Sequence, residues 1–111
     1  MIEKILIDYL TQELSVPVYL ERPVDPPSRF VIIQKTGSTK FNHLCTATMA
    51  FQSYAETLYE AATLNVEVIS AVENSITLPE ISAAKLNSDY NFTNTATKQY
   101  RYQAVFNITH Y

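Results

Sequence analysis

Hydrophobic and polar positions alternate along this chain with two different periods. Residues 100–110 alternate strictly. Tyr100, Tyr102, Ala104, Phe106 and Ile108 take one face, and Arg101, Gln103, Val105, Asn107 and Thr109 the other. Period two predicts a half-buried strand. Residues 45–54 behave the same way, with Ala47, Met49 and Phe51 opposite Thr46, Thr48 and Gln52. Residues 29–37, RFVIIQKTG, differ: Phe30, Val31, Ile32 and Ile33 are four consecutive apolar residues between Pro26–Pro27 and Gly37. A run that short, apolar on both faces, reads as an interior strand with cover on each side. A helix would cover one face, and a second sheet or a partner chain the other.

Two stretches carry the helical period. In residues 1–14, Ile2, Ile5, Leu6, Tyr9, Leu10 and Leu14 form one stripe, with Glu3 in the first turn where the helix dipole favours an acid. The stripe reads as a packing face; its polar side lacks the basic residues that a membrane-surface helix carries. Residues 55–76 predict a longer helix with the stripe Ala55, Leu58, Tyr59, Ala62, Val66, Ile69, Val72 and Ile76. Ala61, Leu64, Val68 and Ala71 extend the apolar surface onto a flank, more than one sheet contact requires. Ser53, with Glu56 three residues on, has capping-box spacing.

The connections are read as follows. Residues 18–20 form a short extended piece, and residues 21–28, with Pro23, Pro26 and Pro27, a stiff loop. Residues 37–44 read as an exposed hairpin loop in which Phe41 is either a plug at the core edge or a contact residue. Residues 81–86 predict a short strand. Residues 87–99 are either a mobile loop or the arms of an extended hairpin. Helix, strands, helix, strands predicts one α+β domain over residues 1–111: a mainly antiparallel sheet with two α-helices packed on one face.

Composition narrows the classes. At 111 residues, with 47% hydrophobic and 17% charged positions, the chain is long enough and apolar enough for one core. The single cysteine, Cys45, excludes an internal disulfide. No apolar run approaches the ~20 residues that span a bilayer, and no signal peptide is read at the N-terminus. A net charge of -3 argues against sequence-independent nucleic-acid binding as the main role. One glycine, no tryptophan and eight tyrosines are unusual; turns must rely on Pro, Asn, Asp and Ser.

No catalytic motif stands out: there is no phosphate-cradling loop and no zinc spacing. His43 and Cys45 are two apart, but two candidate ligands do not make a metal site. Cys45 and His110 would be nucleophile and base only if they met in space with a third orienting group. Tyr100 and Tyr102 beside Arg101 resemble a base-stacking strand, with little positive charge nearby beyond Lys98. The reading is therefore not an enzyme, with no cofactor and no metal.

Taken in order, the opening helix, VPVYLERPVDPPSRFVIIQKTG, ATMAFQSYAETLYEAATLNVEVISAV and KQYRYQAVFNITHY resemble the tail terminator, or head–tail joining, proteins of long-tailed bacteriophages. The matching features are the proline loop, a strand reaching Thr36–Gly37, a strand entering an Ala-rich helix, and the closing Tyr100–Arg101–Tyr102–Gln103. Ser38 departs from the pattern, since relatives often carry a second glycine there. The resemblance implies a homo-oligomeric ring, commonly of six subunits, on the end of the tail tube in the virion neck. Its partners would be the tail tube protein and the head–tail connector or stopper; DNA would pass through the channel without specific binding, and no membrane is involved. The exposed loops 22–28, 38–43 and 89–97 are then interface candidates, with Phe41, Tyr90 and Phe92 as aromatic anchors and Arg22, Lys40 and Arg101 as charged contacts. The alternatives are a neighbouring head-completion or stopper connector, and a small α+β binding module unrelated to virions.

Overall fold

The computed structural model describes residues 1–111 and has the α+β architecture. Its elements are α1 (Ile2–Glu13), β1 (Val18–Tyr19), β2 (Phe30–Phe41), β3 (Leu44–Ala55), α2 (Leu58–Glu73), a 3-10 turn (Asn74–Thr77), β4 (Ile81–Asn91) and β5 (Tyr100–His110). One five-stranded sheet runs in the order β1-β2-β3-β5-β4, antiparallel except for the short β1–β2 pair. Both helices lie on one face, α1 over β1 and β2, and α2 over β3, β5 and β4.

The alternating strands form the core as their period requires. Ala47, Met49 and Phe51 on β3 and Ala104, Phe106 and Ile108 on β5 are fully or almost fully buried and face one another in register. They meet Leu6 and Leu10 of α1 and Leu64, Val68 and Val72 of α2 in a single cluster of 17 buried residues. Phe51 and Phe106 meet edge to face at 5.7 Å, a geometry favoured by the ring quadrupoles.

The apolar run on β2 is buried on both faces. Val31 and Ile33 enter the helix-side core. The cover expected from outside for the other face is supplied from within: Phe30 and Ile32 pack with Tyr54 of β3, and Tyr19 of β1 closes over them. No second sheet or partner chain is required there.

Three local expectations are corrected. First, residues 37–44 are not a loop. β2 continues past a bulge at Thr36 to Phe41, β3 starts at Leu44, and only Asn42 and His43 turn the chain. Both have positive φ, 48° and 69°, the geometry of a two-residue type I′ hairpin turn. Second, α2 is rotated relative to the expected stripe. Ala61, Leu64, Val68 and Val72 face the core, whereas Tyr59 is 82% exposed and Val66 66% exposed, and Ile76 in the following turn is also exposed. The expected flank is the true inner face, since it stacks on the buried rows of β3 and β5. Third, the N-cap is Thr57, whose hydroxyl accepts from the Glu60 backbone N–H at 3.1 Å. Ser53 remains in β3, fully buried. The strand thus ends at Ala55, and the helix begins at Leu58, three residues later than expected. Residues 87–99 are the arms of a hairpin: β4 reaches Asn91, and Asn94 pairs with Gln99 through two backbone hydrogen bonds of 3.1 Å.

Two predictions follow from these contacts. The Tyr9 hydroxyl of α1 donates to the Ala71 carbonyl of α2 at 2.8 Å. Burial, and then the Glu13 carboxylate, push this phenol above its usual pKa. A raised folded-state pKa means that its contribution is complete below about pH 10 and is lost as pH rises through the folded value. Urea unfolding of Tyr9→Phe is expected to show a loss of about 1 kcal/mol at neutral pH and a flatter decline in stability at alkaline pH. In the hairpin turn, His43 occupies a left-handed conformation that costs an L side chain about 1 kcal/mol. His43→Gly is expected to raise stability by roughly 0.5–1 kcal/mol in the same measurement.

Candidate functional site

The sheet face without helices is open to water, and many of its side chains also bond one another. Toward the β2–β3 turn there is a polar ladder across β3 and β5: Thr46 with Thr109 and Thr48 with Asn107, each at 3.3 Å. Toward the start of β2 and the end of β3 the ladder gives way to aromatic rings capped by cations.

Tyr54 is the centre of this cluster. Its ring stacks on Phe30 with centroids 4.6 Å apart and planes 6° from parallel. The Arg22 guanidinium, from the proline loop, lies 5.6 Å from the Tyr54 centroid and 5.8 Å from that of Phe30. The Arg101 guanidinium of β5 lies 5.7 Å from the Tyr54 centroid and 4.4 Å from that of Phe92. Such stacking contributes about 0.5–2 kcal/mol per contact, more as the pair is desolvated.

Arg101 is also fixed by hydrogen bonds. Its Nε donates to the Phe92 carbonyl at 2.7 Å and its Nη1 to the Tyr54 hydroxyl at 3.0 Å. From there a chain crosses the sheet. The Tyr54 hydroxyl donates to Gln52 Oε1 at 3.1 Å, and Gln52 Nε2 donates to Gln103 Oε1 at 2.8 Å. Gln103 Nε2 donates to the Tyr90 hydroxyl of β4, whose ring meets Phe92 edge to face at 5.9 Å. Every donor in the chain points the same way, so the bonds polarise one another. The Gln99 amide, with its oxygen turned toward Arg22, accepts from Arg22 Nη2 at 2.7 Å.

A concavity of about 360 Å³ opens beside these rings, lined by Arg22, Phe30 and Tyr54 with Pro27, Glu56 and Lys98. Residues 1–111 form two ion pairs within 4.0 Å, Lys4–Asp8 and Lys35–Glu3. Arg22, Lys98 and Arg101 therefore have no carboxylate partner; aromatic faces and neutral oxygens hold the two arginines in place.

Of the six interface candidates, four converge here: Arg22, Tyr90, Phe92 and Arg101. Arg101 is not a free surface charge, because its hydrogen bonds and rings are intramolecular. Lys40 and Phe41 sit at the other end, next to the β2–β3 turn, with Phe41 78% exposed. Ten residues of β3, from Leu44 to Tyr54, separate the two ends, about 33 Å at the usual strand rise. Sequence reasoning missed Phe30, Tyr54 and the Gln52–Gln103 pair. The signal available was the position of Tyr54 and Arg101 on strands whose outward faces are otherwise polar apart from Ala50 and Val105. Tyr100 and Tyr102 lie across from Ala55 and Ser53 on the helix side, so the stacking strand expected around Arg101 does not form.

Cys45 and His110 do meet as directly opposed residues of β3 and β5, while His43 lies in the turn. The only hydrogen bond of the His110 ring is to the Tyr111 carbonyl, Nδ1 to O at 3.2 Å. No surface concavity is lined by His43, Cys45 or His110, and no three metal-ligating side chains cluster anywhere in the chain. No helix is long and apolar enough to cross a membrane.

The guanidinium geometry makes a direct prediction. Arg101→Lys keeps the charge but loses the planar fork that serves Phe92 and Tyr54 together. Stability is expected to fall by about 1–2 kcal/mol in urea unfolding, with loss of near-UV circular dichroism from the Tyr54 environment. Unchanged values would mean that the cluster is not held by Arg101.

No family model matches this chain, and a search of curated proteins finds no significant match.

Proposed function

We propose that this chain is a structural virion protein: one subunit of a ring that caps the tail tube of a long-tailed phage, ends its polymerisation and joins the tail to the head connector. Function here is binding without turnover. The protein would be assembled in the host cytoplasm and reside in the virion neck. The proposal starts from the ordered resemblance of the proline loop, the β2–β3 hairpin, α2 and β5 to tail terminator proteins.

The structural observation that carries it is the outer face of α2. The inner face, Ala61, Leu64, Val68 and Val72, already fills the core, yet Tyr59 and Val66 stand exposed on the outside. Single exposed apolar residues are ordinary; two on the outer half of a helix whose inner face is already filled are better accounted for by a second packing partner. Phe41 at the hairpin tip, distant from that helix face, supplies a second aromatic anchor. Two unlike contact surfaces on one subunit are what a ring that also grips a tube needs.

The test is negative-stain imaging of the purified protein mixed with tail tubes and, separately, with heads. The expected result is ring-shaped density at one tube end and arrested growth. Binding to heads without tubes would move the assignment to a neighbouring head-completion or stopper connector. Binding to neither would overturn it and favour a cellular binding module. Phe41→Ala is expected to leave the circular dichroism unchanged and to weaken capping by at least about tenfold, as for an interface anchor.

A further inference from the structure

Two sets of segments along the chain carry opposite charge. Residues 1–14 and 55–80, which hold both helices, contain eight carboxylates and one lysine, for a net charge of -7. The remaining residues, which hold the sheet and the proline loop, contain seven Lys and Arg against three carboxylates, for a net charge of +4. The overall charge of -3 hides this separation.

At each pole unpaired charges are interleaved with exposed apolar groups. On α2, Glu60 and Glu67 are seven residues apart, two turns and about 10.5 Å along the axis, in a row about 100° round the helix from the equally spaced Tyr59 and Val66, with Glu60 partly exposed and the other three exposed. None of these carboxylates has a cationic partner. On the sheet side, Arg22 and Lys98 border the concavity, also without carboxylates, next to the half-exposed Phe92 and Tyr90. Glu56 is the one acid on that rim.

The rings at the cationic end are not an open stacking platform. Phe30 and Tyr54 are buried, Arg22 covers them, and Arg101 covers Phe92. What the surface offers is preorganised guanidinium and ammonium donors, whose best-matched partner is a carboxylate. Strand addition at the sheet edges is opposed by Lys35, Lys40 and Lys85, and by bulges in both β2 and β4.

We propose that the Arg22/Lys98 concavity docks the outer face of α2 from a second copy of this chain, with Glu60 and Glu67 facing the cations. The two surfaces differ, so the contact is head to tail and leaves each copy with one free surface of either kind. The inference rests on the ring reading only for closure; it supplies that ring with its subunit contact.

The test uses complementary charge reversals and sedimentation equilibrium. One variant is Arg22→Glu with Lys98→Glu; the other is Glu60→Lys with Glu67→Lys. All four side chains are at least partly exposed, and circular dichroism establishes that each variant is folded. Wild-type protein is expected to self-associate at low salt and to dissociate as salt rises. Each variant alone should associate at least about tenfold more weakly, and an equimolar mixture should recover wild-type association, since every contact in an alternating assembly is again of opposite sign. Arg22→Gln with Lys98→Gln should weaken association without the basis for such recovery, and replaces the first variant if that one fails to fold. A wild-type protein that is monomeric at low salt at its highest soluble concentration overturns the contact. So does a folded variant that associates like wild type, or a mixture that recovers nothing. Tubes capped normally by a folded single variant would remove this contact and leave the ring reading. Recovery in the mixture with no capping of tubes would do the reverse.

Discussion

A single sheet covered by helices on only one face sets the terms for everything else in this molecule. The covered face solves its problem with ordinary apolar packing, in which Met49, Phe51, Phe106 and Ile108 meet the helices. The open face has no second layer, so its half-exposed polar side chains can meet water as well as one another, and only its apolar side chains need cover from neighbours on the same face. Threonines, glutamines and an asparagine bond one another across β3 and β5. Where Phe30 and Ile32 force apolar surface onto that face, Tyr19 and Tyr54 gather around them and two guanidiniums close the top. Arginine suits that position because its plane stacks on a ring while its edge still donates hydrogen bonds. The consequence is chemical: a structural need for a lid places two cations at the surface with no acid assigned to them.

Much of this plan is legible in the residue pattern, and what is not has identifiable causes. Strict alternation on β3 and β5 marks the buried row correctly because those strands are interior and antiparallel. The double-sided run on β2 announces burial on both faces, but cannot say that the second cover is Tyr54, twenty-odd residues away and brought back by a hairpin. That hairpin is itself obscured. Its turn is Asn42–His43, with no glycine to mark positive φ, and the polar arms flanking it look like loop. On α2, aliphatic and small residues occur nearly all round, so the period alone does not fix which stripe faces inward; packing against β3 and β5 decides. The two cap signals, Ser53 before Glu56 and Thr57 before Glu60, are equivalent locally. Ladder bonds to β2 and β5 extend through Tyr54 and Ala55, and they select the later one.

The cationic cluster illustrates a stronger limit. Its members come from β1, the proline loop, β2, β3, the end of β4 and β5. They are spread over residues 19–103, so the pattern that matters is created by strand order and register. Arg101 and Tyr54 become neighbours only because β5 pairs with β3 in the observed register. Read along the chain, Arg101 seems to belong with Tyr100 and Tyr102; read across the sheet, it belongs with Tyr54 and Phe92. Sequence proximity on a strand places residues on opposite faces, and it is the opposed strand that supplies same-face partners.

Charge distribution follows from the same architecture and underlies the proposed contact between copies. Helical segments favour glutamate on their outer faces, and the solvent side of both helices here is acidic. A sheet whose edges must resist pairing favours lysine, and a ring-capped apolar cluster favours arginine. Each preference has a local, intramolecular reason, yet their sum is a chain with unlike poles. A subunit with unlike poles attracts its own kind in one relative orientation and repels it when like faces meet, which biases association toward head-to-tail contacts over two-fold ones. Head-to-tail contacts close into rings when the rotation per subunit divides the circle. The elongated body, 44 Å by 24 Å by 24 Å, presents the Arg22 end and the α2 face at an angle set by the sheet rather than by a flexible loop. The value of that angle, with no rise along the axis, is what distinguishes a closed ring from an open filament. The same sheet that leaves its outer face uncovered therefore also fixes the geometry with which copies would meet.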